Sequence, residues 1–334
     1  MGFNLNVRSP VVIGAAIIVV IVILAAAFVL LGGGGEAPVR LVMGTGSPGG
    51  IYNPLGFKIA EVVSKYSDRL EVEAQATGAS VANAKGIQAG DYQIALMQSD
   101  VAYFAFNGKL LSDFEGNPVE DLRALAALYP EPIQIVARKE AGIETIWDIE
   151  GKSVAVGNRG SGLYATAFTI LNALGLWDKI DRQEIGFKEA STAMRQGTVD
   201  VLFIVAGVPT PKIQDVAAQV EVNLVEVPDD AYQKLVEAGL GNLYLRYTIP
   251  AGSYDFQDRD IKTITVVALL VADKDVPEDV IYEFLQTMFD NLDEVKQAHA
   301  RAQDISLERA PIVPIPLHPG AEKFYRDRGV QPTS

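Results

Sequence analysis

The first hydrophobic pattern in the chain is an unbroken one. Val11–Leu31 runs for 21 residues without a charge. A bilayer core takes roughly 20 apolar residues as a helix, so the run predicts a membrane anchor over residues 11–31. Arg8 and the terminal amine flank it on one side, and Glu36 follows the glycine linker on the other. That asymmetry places the N-terminus in the cytoplasm and everything after Gly32 outside it. A cleaved secretory signal ending near Ala25-Ala26-Ala27 is the competing reading. The run continues through Phe28, Val29, Leu30 and Leu31, which is long for a signal.

Past the linker the pattern changes to short β-rich runs alternating with helical periodicity. Val39–Met43 reads as a strand, and Gly44–Gly50 cannot continue it. Asn53-Pro54 opens a helix, with proline early enough that its missing N–H costs nothing. Leu55, Ile59, Val62 and Val63 give that helix one apolar face. Leu70–Ala76 is a second strand, and Ser80 or Thr77 is a candidate cap for a helix over Val81–Ala89. Gln93–Met97 is a third strand, with a helix starting at Ser99-Asp100. Three rounds of strand, small polar loop and helix predict an α/β fold with a largely parallel sheet.

Leu122–Tyr129 and Ile133–Arg138 read as two strands separated by Pro130-Glu131-Pro132. The alternation then resumes, with strands at Ser153–Val156 and Val199–Val205 and helices at Tyr164–Leu174 and near Thr210–Ala218. Ile264–Val271 is a buried strand, and Pro277–Phe289 and Pro319–Arg326 are helices. The same logic on both sides of residue 130 predicts two α/β lobes. Residues 37–129 with 263–334 form the first and 130–262 the second, with hinge strands near 129–134 and 246–263. Residues 1–36 stand apart as anchor and linker.

Composition narrows the function. The chain has no cysteine, so disulfides and a lipoprotein anchor are excluded, and its core must hold it together. A hydrophobic content of 49% supplies that core, and about 300 residues past the linker suit two lobes. A formal charge of −14 argues against nucleic acid, which needs a clustered basic surface. Two histidines, His299 and His318, are too few for a histidine-rich metal site. His318, in Leu317-His318-Pro319-Gly320, reads as a helix cap or a structural residue. The residues present no persuasive catalytic triad, metal motif or P-loop lysine, and ligand binding without chemistry is the simpler account.

The loops offer that binding. Gly44–Gly50 matches G-x-G-x-x-G between strand and helix. The helix starts after the motif, and the acidic residues of the next strand, Glu71 and Glu73, lie within it, which weakens a dinucleotide reading. The backbone N–H groups and the helix N-terminus still favour an anion. Thr77–Ser80, Ser99-Asp100 and Arg159–Gly162 repeat the arrangement at three more strand-to-helix junctions. In open α/β sheets such junctions line the ligand crevice. Each is equally readable as a capped turn.

Eight stretches in order carry a resemblance. They are Gly44–Tyr52, Thr77–Asn83, Gln98-Ser99-Asp100, Tyr129–Pro132, Gly160-Ser161-Gly162, Ala206–Pro209, Pro250–Tyr254 and Pro316–Ala321. On these the chain resembles the TAXI-type solute-binding receptors of TRAP transporters, from residue 39 to the end. The resemblance implies a type II periplasmic-binding-protein fold, two lobes closing on a ligand, no enzymatic activity and no cofactor. It implies a small carboxylate or amino acid as ligand, of the glutamate, glutamine or 2-oxoglutarate class. It implies delivery to an ion-gradient-driven TRAP permease outside the cytoplasm, at the cell surface or in the periplasm. A ligand-sensing module of a cell-surface assembly is the alternative. The family often has two glycines where this chain has Gly78-Ala79, and a small residue or proline where it has Arg159.

The candidate ligand-binding residues follow from the loops and the resemblance together. Thr45, Gly46, Ser47, Gly49, Gly50 and Tyr52 come from the first loop, and Thr77, Gly78, Ser80 and Asn83 from the second. Gln98 and Ser99 come from the third junction. Arg159, Ser161, Gly162, Gly207 and Tyr254 come from the second lobe. Arg159 either grips a carboxylate with two hydrogen bonds or points to solvent. Tyr52 and Tyr254 either face the ligand or belong to the core. Asp100 would repel a carboxylate, so it caps its helix or accepts a ligand amine.

Overall fold

The computed structural model describes residues 37–48 and 50–331. The predicted anchor over 11–31 therefore lies outside the described residues, as does Gly49. Among the described residues, no helix is long and apolar enough to cross a membrane.

The first βα units form as the hydrophobic pattern dictates. They are β1 (Val39–Gly44), α1 (Tyr52–Tyr66), β2 (Leu70–Gln75), α2 (Ser80–Ala89), β3 (Ile94–Gln98) and α3 (Ser99–Asn107). Leu55, Ile59, Val62 and Val63 are fully buried along one face of α1. β4 (Leu122–Arg138) is followed by β5 (Ser153–Ala155), α4 (Gly162–Ala173), β6 (Asp181–Gln183), α5 (Phe187–Arg195) and β7 (Val201–Val205). Then come α6 (Pro211–Ala217), β8 (Val222–Val225), α7 (Asp229–Glu237), β9 (Leu245–Ile249) and β10 (Ile261–Asp273). The chain finishes with α8 (Glu278–Asp290), α9 (Leu292–Val295) and α10 (Pro319–Asp327).

The strands share one path, β2-β1-β3-β10-β4-β7-β5-β6, with β8 also on β4 and β9 also on β10. The expectation of a largely parallel sheet needs correction. β1 is parallel to β2 and β3, and β5 to β6 and β7. The two long strands β4 and β10 are antiparallel to every neighbour. They carry the chain between two parallel βα groups and back, so β10 runs against the first group and β4 against the second.

β4 brings a second correction, because it continues through both prolines. Pro130 and Pro132 keep their places opposite Val267 and Thr265. The pleat turns residues 130 and 132 to the same edge. The β7 ladder on β4 begins only at Ile133, opposite Val205. The missing N–H groups thus fall ahead of that ladder, at an edge where proline is tolerated. β4 joins the parallel groups, with its first part on β10 and its last part on β7 and β8.

The cap expected on α2 is also different. Neither Ser80 nor Thr77 caps it; the N-cap is Ala79, at φ +70° and ψ −147°. Thr77 Oγ1 instead accepts from the Ala79 N–H at 3.0 Å. This backbone region is essentially reserved for glycine and costs on the order of 1–3 kcal/mol for a residue with a Cβ. Ala79→Gly is expected to raise stability by about 1 kcal/mol, after the greater entropy glycine loses on folding. The check is the urea midpoint, which should rise at constant slope; an unchanged or lower midpoint would show the turn to be unstrained.

Candidate functional site

Three strand-to-helix junctions meet at one point. β3 leads directly into α3, and its last residue, Gln98, presents its backbone N–H to Ser80 Oγ at 3.1 Å. Ser80 is the first residue of α2, and its hydroxyl also donates to Gln98 Oε1 at 3.4 Å. The far side of Gln98 reaches α4, where its Nε2 donates to Thr166 Oγ1 at 2.8 Å. Gly162, the first residue of α4, sits so close that an added Cβ would land on Gln98 Oε1 and lie 2.7 Å from Ser80 Oγ. Ser80 and Thr166 are fully buried, and Gln98 is 6% exposed. The N-termini of α2 and α4 thus press against each other across a single glutamine. Where the sequence leads one to expect a ligand crevice, the junctions form a closed, hydrogen-bonded contact.

Asp100 anchors the next layer. It is fully buried in the first turn of α3, where its Oδ1 accepts from the Val101 N–H at 2.8 Å. Its Oδ2 accepts from Thr166 Oγ1 at 2.7 Å and from Tyr244 Oη at 2.9 Å. One carboxylate therefore holds hydroxyls from α4 and from the segment before β9. Burial raises its pKa, and the donors partly oppose the rise. Asp100 is not the cap of its helix, since the N-cap is Gln98 and carries no side-chain cap; it ties the first turn of α3 to a distant part of the chain.

Glu131, between the two prolines of β4, is a strongly perturbed carboxyl. It is 4% exposed and accepts from Tyr52 Oη at 2.6 Å through its Oε2. Burial pushes its pKa up to about 8; the Tyr52 hydrogen bond opposes this and the nearby Asp100 adds to it. The Tyr129 hydroxyl, two residues earlier on the same face of β4, is buried with no hydrogen-bond partner. Burial raises the Tyr129 phenol first, and Glu131 raises it further.

Glu131 has a consequence for stability. A carboxyl whose pKa is higher folded than unfolded binds more protons in the native state, so stability falls as pH rises. The decline should begin near the ordinary value of 4.5, run through about 8 and level off above it. Glu131→Gln keeps the Tyr52 contact and removes the titration. Urea titrations across that window should show a flatter pH profile in the variant; parallel profiles would mean that Glu131 is ionised throughout.

The other predicted residues divide into three groups. A knot beneath the first two loops holds Thr45, Gly46, Thr77 and Asn83. Asn83 Nδ2 donates to the carbonyls of Thr45 (2.7 Å) and Leu96 (2.6 Å), and Thr45 Oγ1 donates to the Gln75 carbonyl at 2.7 Å. Thr77 Oγ1 donates to the Thr45 carbonyl at 3.2 Å. Gly46 is required by close approach, since a Cβ there would lie 2.9 Å from the Tyr52 Cβ. Ser99 Oγ accepts from the Val267 N–H at 3.0 Å, fixing α3 to β10.

Ser47 and Gly78 are exposed and Gly50 partly so, at the outer rim of the same loops. In the second half, Tyr254 is 2% exposed, accepts from the Thr210 N–H at 2.8 Å and donates to Gln134 Oε1. Gly207 lies in that neighbourhood, its carbonyl accepting from Thr210 Oγ1 at 2.7 Å. The structure does not bring Arg159 to the junction. Its side chain is 74% exposed and pairs with Glu184, with Nη2 to Oε1 at 2.9 Å. Ser161 caps α4 by accepting from the Tyr164 N–H at 3.1 Å. His318 is a cap, its Nδ1 accepting from the Gly320 N–H at 3.1 Å.

Sequence reasoning did not single out Glu131, Tyr129, Thr166 or Tyr244 as site residues. Glu131 carried a local signal, a lone carboxylate inside an apolar β-rich run. Thr166 and Tyr244 carried none, because their partner Asp100 is 66 and 144 positions away.

The architecture is that of known binding proteins. MatC from Rhodopseudomonas palustris, solved with bound malate, is 16% identical, with a TM-score of 0.51 over 87% of this chain and 97% of its own. The periplasmic binding protein BugD is 14% identical, with a TM-score of 0.50 over 80% of this chain and 87% of its own. Identities this low establish the shared mixed α/β fold. The sequence itself matches one family model over residues 43–329, which takes in every junction described above, and the chain belongs to the NMT1-like family.

Proposed function

We propose that this protein is an extracytoplasmic solute-binding receptor, a receptor and not an enzyme. The observation that carries the reading is the meeting of α2, α3 and α4 at Gln98. Helix N-termini from both parallel groups face one place, and such termini favour an anion. Family membership and the binding-protein fold support it. Residues 37–129 with 263–334 form one lobe and 130–262 the other, and β4 and β10 are the hinge strands between them.

The ligand is a small organic acid or amino acid. It enters when the lobes part and Gln98 lets go of Thr166. Its carboxylate takes the N–H groups at the starts of α2 and α4, and closure restores the Asp100 contacts to Thr166 and Tyr244. A ligand shifts this equilibrium by binding the closed state better. The eight ordered stretches of the sequence support the TAXI subtype. They also support delivery to an ion-gradient-driven permease, with the apolar run at 11–31 as tether. The fold of MatC accommodates malate, which places dicarboxylates on the panel to be tried.

The test is a thermal-shift screen of the purified protein against amino acids, 2-oxo acids and dicarboxylates. A ligand at 100 times its Kd adds about 2.7 kcal/mol to folding, which moves the melting temperature clearly. A hit that disappears in Ser80→Ala and Gly162→Ala supports the reading. A hit unaffected by both would place the site elsewhere.

A further inference from the structure

Arg301 stands where the two proposed lobes touch. It lies in the 3₁₀ turn Ala300–Asp304, which His299 caps, its Nδ1 accepting from the Arg301 N–H at 3.1 Å. The side chain crosses to the loop between β7 and α6. A Cβ on Gly207 would lie 2.2 Å from Arg301 Cγ and 2.4 Å from its Cδ. Gly207 does not have a positive φ, so glycine is needed there for space and not for backbone conformation. The bare peptide lets the arginine stem lie on it, and the guanidinium begins one bond beyond that contact.

The donors gathered at this place lack acceptors. Arg301 Nε is buried and has no hydrogen-bond partner. Nη1 lies 3.2 Å from Asp304 Oδ2, outside hydrogen-bonding geometry, since that oxygen is itself without a hydrogen-bond partner. Gly207 and Val208 are buried as well, and among the described residues neither backbone N–H has an acceptor. Buried N–H groups are nearly always paired. A guanidinium presents its donors as a planar fork that matches a carboxylate. A cation lying on a loop with open N–H groups is suited to an oxyanion.

We infer that Arg301 and the N–H groups of Gly207 and Val208 form a subsite for a carboxylate or a similar oxyanion, supplied either by a solute or as a free ion. The solute source rests on the receptor reading given above, and the free-ion source does not. The oxyanion takes the open donors and shares the guanidinium with Asp304. Arg301 belongs to residues 263–334 and Gly207 to 130–262, so an anion held between them ties the two lobes and favours their closed arrangement. A solute without the acid group would leave these donors unpaired, which makes Arg301 a specificity residue.

The experiment uses the purified full-length protein at fixed ionic strength. Chloride is replaced stepwise by acetate, sulfate or phosphate while melting is followed. Sulfate and phosphate stabilise proteins generally, so the reading is the saturable rise that differs between wild type and variant. It should weaken about tenfold or more in Arg301→Ala, which loses hydrogen bonds from a charged group. Arg301→Lys keeps the charge and loses the fork, so it should recover only part. Asp304→Asn removes the internal competitor and should tighten binding severalfold, whereas a purely structural ion pair would be harmed alike from either side. Equal rises in the wild type and Arg301→Ala, equal losses in Arg301→Ala and Asp304→Asn, or no saturable rise with any anion or acid, overturn the inference.

A parallel arm compares carboxylic acids with their amides. A preference for the acid that Arg301→Ala abolishes identifies the solute as the source. A response to acetate, sulfate or phosphate alone identifies the free ion. Tight binding of a solute that neither substitution alters, with no anion response, leaves the receptor reading standing and removes this one. An anion response with no solute bound does the reverse.

Discussion

Asp100→Ala is expected to cost about 3 kcal/mol of folding stability. The substitution leaves the Tyr244 hydroxyl and one bond of the Thr166 hydroxyl without an acceptor in a buried place, and each orphan costs about 1–3 kcal/mol. It also removes the acceptor for the Val101 N–H in the first turn of α3. Relief from burying a carboxylate offsets part of the total, since burial is what raises its pKa. Asp100→Asn, which keeps one carbonyl oxygen, should lose less. Thr166→Val in the Asp100→Ala background should then cost little more, because the pair acts as a unit. Urea denaturation measures all three. Losses that simply add would mean that the hydroxyls find other partners and that Asp100 ties nothing together.

Gly162→Ala is expected to weaken solute binding by roughly 5- to 150-fold while the fold survives. The reason is position. The new Cβ would occupy the space of the Gln98 amide and crowd Ser80 Oγ. Gln98 cannot simply swing away, because it is buried and holds Thr166 at 2.8 Å. Overpacking of this kind costs about 1–3 kcal/mol, which is that range of affinity. The cost is confined to the contact of α4 with Gln98 and Ser80, which leaves the rest of the core in place. Solution scattering should report a larger radius of gyration for the variant, and the ligand-induced melting shift should shrink. Unchanged scattering and unchanged affinity together would show that the contact at Gly162 plays no part in closure.

Glu131 shows how one position can hold both a fold signal and a site signal. Flanked by prolines, it reads in the sequence as a break between two strands. The structure keeps a single strand there, because the prolines face an edge that the β7 ladder reaches only at Ile133. The charge that looked like part of a turn is consequently buried beside Tyr52. A local rule about proline was right about hydrogen bonds and wrong about the path of the chain. The amphipathic helices α5 and α7 and the short strands β6 and β8 went unread for a related reason. Each is brief, and what stabilises it is the surface it packs against.

The sequence by itself determined the βα units, since period-two and period-3.6 patterns are local and strong. β1, β2, β3, β7 and β10, and helices α1, α3, α4, α8 and α10, all lie within a few residues of where those patterns put them. It determined that glycine and small polar residues stand at the strand-to-helix junctions. It determined the absence of disulfides, which leaves the core as the source of stability. Tertiary structure alone decided which junctions meet. Ser80, Gln98 and Gly162 come from three separated loops, and only packing of α4 on α2 and α3 joins them. It decided that Arg159 faces Glu184 and solvent, and that Asn83 serves three backbone carbonyls. It also decided the pKa of Glu131, because desolvation depends on what surrounds a group in space, and no pattern along a chain records that.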